Sequence, residues 1–249
     1  MNEKKILIVL PAYNAAKTLA KTIKDLPNDL IADIILIDDA SDDNTVEIAK
    51  SLNIETILHK KNSGYGANQK TCYNEAIARN TDIVVMLHPD CQYDPRAIET
   101  LILPIKLGIC DVVLGNRIRS RKETLSGGMP LLKYIVNRIL TFIENITLGQ
   151  NLGDFHSGYR AYSREVLEKI NFKEFSDDFV FDSELLAACA YFQFKIGDVP
   201  VPTIYFPEAS QINFTNGVIY SFQTLITLIK YLLQKTRLFN FAIFQTDKH

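Results

Sequence analysis

Only four cysteines occur in the sequence, Cys72, Cys91, Cys110 and Cys189, and no two form a C-x-x-C pair. That spacing excludes a zinc ribbon and offers no disulfide framework, so the thiols read as free in a reducing cytoplasm. An excess of one charge is lacking too: 27 basic against 29 acidic side chains leave a formal charge of −2, with no global field to recruit nucleic acid. Long hydrophobic runs are missing. The N-terminal MNEKKILIVLPAYN offers five apolar residues before a proline, too few for a signal-peptide core or a spanning helix, and reads as a first strand. No G-x-G-x-x-G follows that strand and no G-x-x-x-x-G-K-[ST] occurs anywhere, so both familiar nucleotide fingerprints are absent. The chain carries no internal repeat or low-complexity tract.

What is present suits one compact unit: 249 residues, 47% hydrophobic and 22% charged. Short β-branched runs, ILIVL (6–10), DIILID (33–38), ETILH (55–59), DIVVML (82–87) and DVVLG (111–115), alternate with stretches of helical length near 15–26, 42–51, 66–79 and 95–107. This pattern predicts an α/β fold with a mostly parallel sheet flanked by helices. The strands lack polar alternation, as expected when helices cover both faces.

Ligands of such sheets bind beyond the C-terminal strand ends. Five polar clusters fall there: Pro11-Ala12-Tyr13-Asn14, Asp38 to Asp43, Asn62 to Gly66, His88-Pro89-Asp90 and Gly115-Asn116-Arg117. Carboxylates such as Asp38 and Asp39 accept hydrogen bonds from base N–H and ribose hydroxyl groups, although acids in this loop also suit helix capping. Asp90 and Gln92, two residues apart, fall on one side of an extended chain, as a hard cation such as magnesium or manganese requires. A turn leading to Pro95 is the competing reading, and His88 suits a ligand, a base-edge contact or a turn residue.

Beyond residue 118, KETLSGGMP reads as a mobile connection to an amphipathic segment, LLKYIVNRILTFIENI (131–146). DFHSGYRAYS, a turn and helix in SDDFVFDSELLAACAYF, and a strand near 196–205 follow. We place one domain over 1–212 and a C-terminal helical extension over 213–249, whose apolar run is broken by Gln223, Thr224, Thr227 and Lys230. Such a helix packs on its own domain, meets a second copy in a homodimer, or lies in a membrane interface.

In the order PAYNA, IDDASDDNT, NSGYGANQ, HPDCQY, GNR, DFHSGYRAYS and FVFDSELL, the chain resembles family 2 glycosyltransferases with the GT-A fold. It is similar above all to the branch of dolichyl-phosphate mannosyltransferases and polyprenyl-phosphate sugar transferases. The resemblance implies a GDP- or UDP-linked sugar donor, with Pro11, Tyr13, Asp38, Asp39, Asn62, Gly66 and His88 around the nucleotide sugar. It implies a divalent cation, Mg or Mn, on Asp90 and Gln92. Asp90, Arg117, Asp154 and Arg160 become the candidates for the chemical step, and Arg117, Ser157, Arg160 and Asp182 those for the acceptor. The implied acceptor is a lipid phosphate, reached by peripheral contact with the cytoplasmic membrane face. A saccharide hydroxyl would instead need a base such as Asp154, Asp178 or Asp182; a catalytically silent nucleotide-sugar-binding protein is the third reading. His88 departs from the family, which usually carries the first acid of D-x-D there, Asn14-Ala15 replaces a common Asn-Glu pair, and PTIYFPEASQI lacks a basic residue relatives often carry.

Overall fold

The computed structural model describes residues 4–205 and 214–246. One sheet holds seven strands: β1 (Ile6–Ala12), β2 (Asp33–Asp38), β3 (Glu55–Leu58), β4 (Ile83–Met86), β5 (Val112–Asn116), β6 (Arg160–Ser163) and β7 (Ile196–Pro200). Their spatial order is β3-β2-β1-β4-β6-β5-β7. All pairs are parallel except those of β6, which runs antiparallel to both β4 and β5. The expected mostly parallel α/β architecture is therefore present, and β6, drawn from RAYS, is the strand the sequence pattern did not announce. Its reversal has a direct consequence for the site. Arg160 begins β6 opposite Met86 and Leu114, so the preceding DFHSG loop reaches the edge where the parallel strands end.

Nine helices are described: α1 (Leu19–Lys24), α2 (Thr45–Ser51), α3 (Tyr65–Ala78), α4 (Ile98–Lys106), α5 (Arg121–Ser126), α6 (Leu131–Leu148), α7 (Arg164–Lys169), α8 (Phe181–Tyr191) and α9 (Phe214–Lys235). They cover both faces of the sheet. Leu7 and Val9 of β1 join Met86, Tyr73 and Phe181 in one core, while the alternate residues Ile8 and Leu10 join Val85, Ile98 and Leu101 in the other. Each buried side chain of this size contributes about 1.5–3 kcal/mol, which explains why the strands read as unbroken apolar runs.

The segment expected as a mobile connection is partly helical. Ser120 Oγ caps α5 by accepting from the Glu123 backbone N–H at 3.2 Å, and Arg119 pairs with Glu123 one turn on. Phe181 to Ala190 of α8 are buried throughout, because α8 packs beneath α6 and α9. The 212/213 boundary and residues 206–212 of PTIYFPEASQI lie outside the described residues.

Candidate active site

Three residues other than glycine adopt left-handed backbone angles just beyond parallel strands: Asn14 (φ 54°) after β1, Ala40 (φ 60°) after β2 and Cys91 (φ 57°) after β4. Such conformations store strain that the surroundings must hold, and strain of this kind collects at functional sites. Here the surroundings are polar. Asn14 N–H donates to Ser41 Oγ at 2.8 Å, and Asn14 Oδ1 accepts from Asp42 N–H at 2.9 Å, locking the first two loops together.

Both acids of the pair after β2 build loops. Asp38 accepts from the Ser41 amide at 2.9 Å and the Ser41 hydroxyl at 2.5 Å. Asp39 Oδ1 accepts from His59 Nδ1 at 2.7 Å and Ser63 N–H at 2.9 Å, and Asp39 Oδ2 from Gly64 N–H at 3.0 Å. The Asp39 carboxylate thus shapes the NSGYG turn. Gly64 has φ +103°, and Gly66 N–H donates to Asp177 O at 2.7 Å; a Cβ on Gly66 would lie 2.8 Å from the Asp177 carbonyl carbon. Asn62, Ser63 and Gly64 line a surface depression with Ser176, Asp177 and Asp178. Tyr13 is 51% exposed beside these loops, whereas Pro11 is buried in β1, paired with Ile37.

Beyond β4, His88 is half-buried and stacks on Tyr65, the ring centroids 5.5 Å apart at an interplanar angle of 7°. Tyr65 Oη lies 3.3 Å from His88 Nε2 and donates to Asp182 Oδ2 at 2.9 Å. Asp182 also accepts from Gln69 Nε2 at 3.1 Å and lies 3.4 Å from Arg160 Nη1. Burial pushes the His88 imidazole below its ordinary pKa, against the opposing pull of Asp90 and Asp182, so the ring is neutral near pH 7. Burial and the Asp182 charge raise the Tyr65 phenol far above its ordinary value, so it keeps its proton.

HPDCQY is a turn. With Cys91 left-handed, Gln92 gives its backbone N–H to Asp90 Oδ1 at 3.0 Å, while the Gln92 side chain is buried, lines a depression with Thr22 and Tyr93, and leaves Nε2 without a hydrogen-bond partner among the described residues. The extended geometry expected for Asp90 and Gln92 is absent. Among the described residues no group of three or more His, Cys, Asp or Glu gathers as a metal cluster. Beyond β4 the candidate donors are the Asp90 carboxylate and the His88 imidazole, close enough for the Asp90 charge to act on the ring. Such donors would hold a divalent cation beside a diphosphate.

After β5, Arg117 forms a two-point ion pair with Asp154, Nε to Oδ2 at 2.6 Å and Nη2 to Oδ1 at 3.2 Å. Asp154 also accepts from Asn137 Nδ2 at 2.9 Å and His156 N–H at 3.0 Å. Its burial alone would raise the carboxyl, but the Arg117 charge and hydrogen bonds hold it well below the usual carboxylate range. Arg160 is fully buried; it donates to the carbonyls of Ser157 (2.5 Å), Phe155 (2.9 Å) and Asp182 (3.1 Å). Ser157 is buried in the same loop. Arg160 therefore binds the DFHSG loop to α8 rather than opening toward solvent, contrary to the expectation that it faces phosphates in this state.

Two contributors had no sequence signal beyond their type. Lys133, on the amphipathic α6, places its ammonium 5.0 Å from the Tyr205 ring centroid, and burial with the nearby Arg117 charge brings its pKa down to about 8. His156 Nδ1 lies 2.7 Å from Tyr220 Oη of α9, and His156 Nε2 lies 3.1 Å from buried Glu144 of α6, within ion-pair reach but outside hydrogen-bond alignment. Only the fold reveals that His156 joins two helices. Those helices leave Leu132, Ile135, Ile139, Phe142 and Ile146 of α6, and Ile219, Phe222, Ile226 and Ile229 of α9, exposed. No helix among the described residues is long and apolar enough to cross a membrane.

A sheet with this strand order, acids beyond β2 and β4, and a buried arginine beyond β5 has the architecture of a nucleotide-sugar transferase of the GT-A type. Residues 7–171 match the model of Glycosyl transferase family 2, and the chain belongs to that family. The protein MJ1222 of Methanocaldococcus jannaschii is 33% identical over 92% of this chain and 93% of its own length. The UDP-N-acetylglucosamine--dolichyl-phosphate N-acetylglucosaminyltransferase of Methanococcus voltae is 32% identical over 88% of this chain and 93% of its own. Glucosyl-3-phosphoglycerate synthase from Mycobacterium tuberculosis, solved with Mn2+, UDP-glucose and phosphoglyceric acid, superposes with a TM-score of 0.70 at 21% identity, covering 92% of this chain and 79% of that one. That superposition establishes the GT-A fold.

Proposed function

We propose that this glycosyltransferase moves a sugar from a UDP-linked donor to a polyprenyl phosphate at a membrane surface, with inversion at the anomeric carbon. The observation that carries the reading is the state of Asp154. Its carboxylate is fully engaged by Arg117, Asn137 and the His156 amide, and its proton affinity is strongly depressed, so it is poorly suited to take a proton from a hydroxyl. A phosphate acceptor is already anionic and needs no base. The dolichyl-phosphate activity named for the Methanococcus voltae relative supports the same acceptor class, and UDP in that name supports the donor.

In this reading Tyr13 lies against the nucleotide base, and the loops shaped by Asp39, Asn62 and Gly66 enclose the ribose and base. Asp90, steadied by the Gln92 N–H, is the carboxylate that would hold a divalent cation beside the diphosphate. When bound, such a cation supplies positive charge where the leaving diphosphate gains negative charge. Arg117, fixed by Asp154, and Lys133 beside it form the cationic wall for the acceptor phosphate, with Arg160 and Ser157 holding the loop behind them. The exposed apolar residues of α6 and α9 rest on the bilayer, bringing that wall to the headgroups.

The test is to incubate the purified chain with Mn2+ or Mg2+, polyprenyl phosphate in vesicles and a panel of UDP- and GDP-linked sugars, and to look for a glycosylated lipid by mass spectrometry. A UDP-dependent lipid product of inverted configuration is expected. Transfer to saccharide hydroxyls without a lipid product would overturn the acceptor, and release or transfer from none of the donors would overturn the activity.

A further inference from the structure

Helices α6 and α9 are inverted with respect to water. Among the described side chains, three of the five buried residues in each are polar or charged: Asn137, Thr141 and Glu144 in α6, and Thr224, Thr227 and Gln234 in α9. These inner sides grip the protein through hydrogen bonds. Asn137 Nδ2 donates to Asp154 Oδ1 at 2.9 Å, and Asn145 exchanges two bonds with the Leu152 backbone, each at 2.8 Å. Thr224 Oγ1 lies 3.1 Å from Ser183 Oγ, and Gln234 Nε2 donates to Tyr191 Oη at 3.3 Å. The outer sides carry Ile139, Phe142 and Ile146 of α6 and Phe222, Ile226 and Ile229 of α9, all exposed. A helix bordering water shows the reverse arrangement, so these two outer sides suit an apolar medium.

Charge is segregated in the same place. Residues 119–146 and 214–246 hold eight Lys and Arg against two acids, although the whole chain holds 27 against 29. Of the two acids, Glu144 is buried and Glu123 pairs with Arg119. Arg121 and Lys122 of α5, which leads into α6, are exposed, as are Lys235 and Arg237 at the end of α9. None of these four forms an ion pair among the described residues. Leu238, 83% exposed, and Phe239 follow directly, so cationic and apolar groups stand side by side where α9 ends.

From this arrangement we infer that α6, α9 and the four free cations form a surface selective for bilayers of anionic phospholipid: the apolar rows enter the acyl boundary and the cations meet headgroup phosphates. A second copy of the chain suits the surface less well. Pairing the same patch with itself would set one cationic face against another, with no free acid on either to receive it. An uncharged bilayer would cover the apolar rows and leave the cations without partners.

Membrane contact itself belongs to the reading above, on which this selectivity rests. Co-sedimentation of the full chain is measured with vesicles of phosphatidylcholine alone and of equal parts phosphatidylcholine and phosphatidylglycerol, without polyprenyl phosphate, so that the acceptor site takes no part. Affinity for the mixed vesicles is expected to be at least tenfold higher at low salt, an advantage that shrinks as salt screens the charges. Lys235→Gln with Arg237→Gln, and separately Arg121→Gln with Lys122→Gln, should each lower affinity for mixed vesicles at least tenfold, with binding to phosphatidylcholine and to UDP unchanged. Lys235→Arg with Arg237→Lys keeps the charge and should bind as the wild type does. Equal affinity for the two vesicle types, or mixed-vesicle binding untouched in both Gln pairs, would overturn the selectivity and leave membrane contact intact. Binding to neither vesicle would overturn both, and a stable dimer that ignores vesicles would give the surface to a second copy.

Discussion

Arg117 and Asp154 face each other in a two-point ion pair, Arg117 7% exposed and Asp154 fully buried. Charges so placed stabilise one another only as a pair: removing one leaves the other desolvated, at a cost of about 3–5 kcal/mol. Asp154→Asn, which keeps the shape and loses the charge, should lower stability by that amount in denaturant titrations at pH 7. The folded-state pKa of Asp154 is depressed, so its contribution is fully present above the unfolded value of about 3.9 and fades only as the pH falls below it. The gap between wild type and variant should therefore be constant from pH 7 to 5 and close only in stronger acid. A variant as stable as the wild type at pH 7 would remove the structural role assigned to this pair.

Lys133 titrates near physiological pH. Its pKa is brought down to about 8, so its ammonium is mostly present at pH 7 and is lost as pH rises through that value. If it binds the acceptor phosphate, the KM for polyprenyl phosphate should rise severalfold between pH 7 and 9 while the KM for donor stays level. Lys133→Ala should begin at the high KM and show no inflection, and Lys133→Arg should keep the low KM across the range. An inflection that persists in Lys133→Ala would assign the effect to another group.

The apolar faces of α6 and α9 predict a surface phenotype without a stability phenotype. Phe142 is 64% and Phe222 66% exposed, so Phe142→Glu with Phe222→Glu should change folding stability by less than about 0.5 kcal/mol per site. Co-sedimentation with anionic vesicles should drop at least tenfold, with UDP binding unchanged. Should the double variant instead convert a dimer to a monomer in sedimentation velocity while vesicle binding is unaltered, the face belongs to a partner copy.

The parallel core was legible because its central strands β1, β4 and β5 are short apolar runs buried on both faces, and their ends drew attention to one edge of the sheet. What escaped depended on contacts between distant segments. The four-residue strand β6 has no pattern of its own; its place is set by Met86 on one side and Leu114 on the other. Arg160 reads as a phosphate ligand from its motif, yet three carbonyls of its own loop and α8 take its donors. The same-side placement of Asp90 and Gln92 assumed an extended chain, and the left-handed Cys91 between them turns it. His59, which orders Asp39, and Lys133, on the amphipathic α6, lacked any local motif. Asp38 and Asp39 were legible as acids at the site edge, but sequence could not show that Ser41, His59 and the NSGYG amides engage them first.

Tyr220 joins α9 to the loop that carries Asp154 and Ser157. Its hydroxyl lies 2.7 Å from His156 Nδ1 and 3.1 Å from Ser183 Oγ, and Ser183 Oγ lies 3.1 Å from Thr224 Oγ1. Burial raises the phenol well above its ordinary pKa, so Tyr220 keeps its proton throughout the physiological range. Tyr220→Phe deletes the hydroxyl and leaves the ring, at a cost of about 1 kcal/mol for a lost buried hydrogen bond. Because α9 packs chiefly on α8 and α6 and not on the sheet strands, the loss should act locally. Amide exchange in 218–230 and in 154–158 should quicken about fivefold, the factor equivalent to 1 kcal/mol, while β1 and β4 exchange as before. Vesicle binding should survive and lipid-acceptor KM should rise, since the apolar face is intact but no longer tied to the phosphate wall. Uniform acceleration across the sheet would make Tyr220 an ordinary core residue, and unchanged exchange in 154–158 would disconnect α9 from the site.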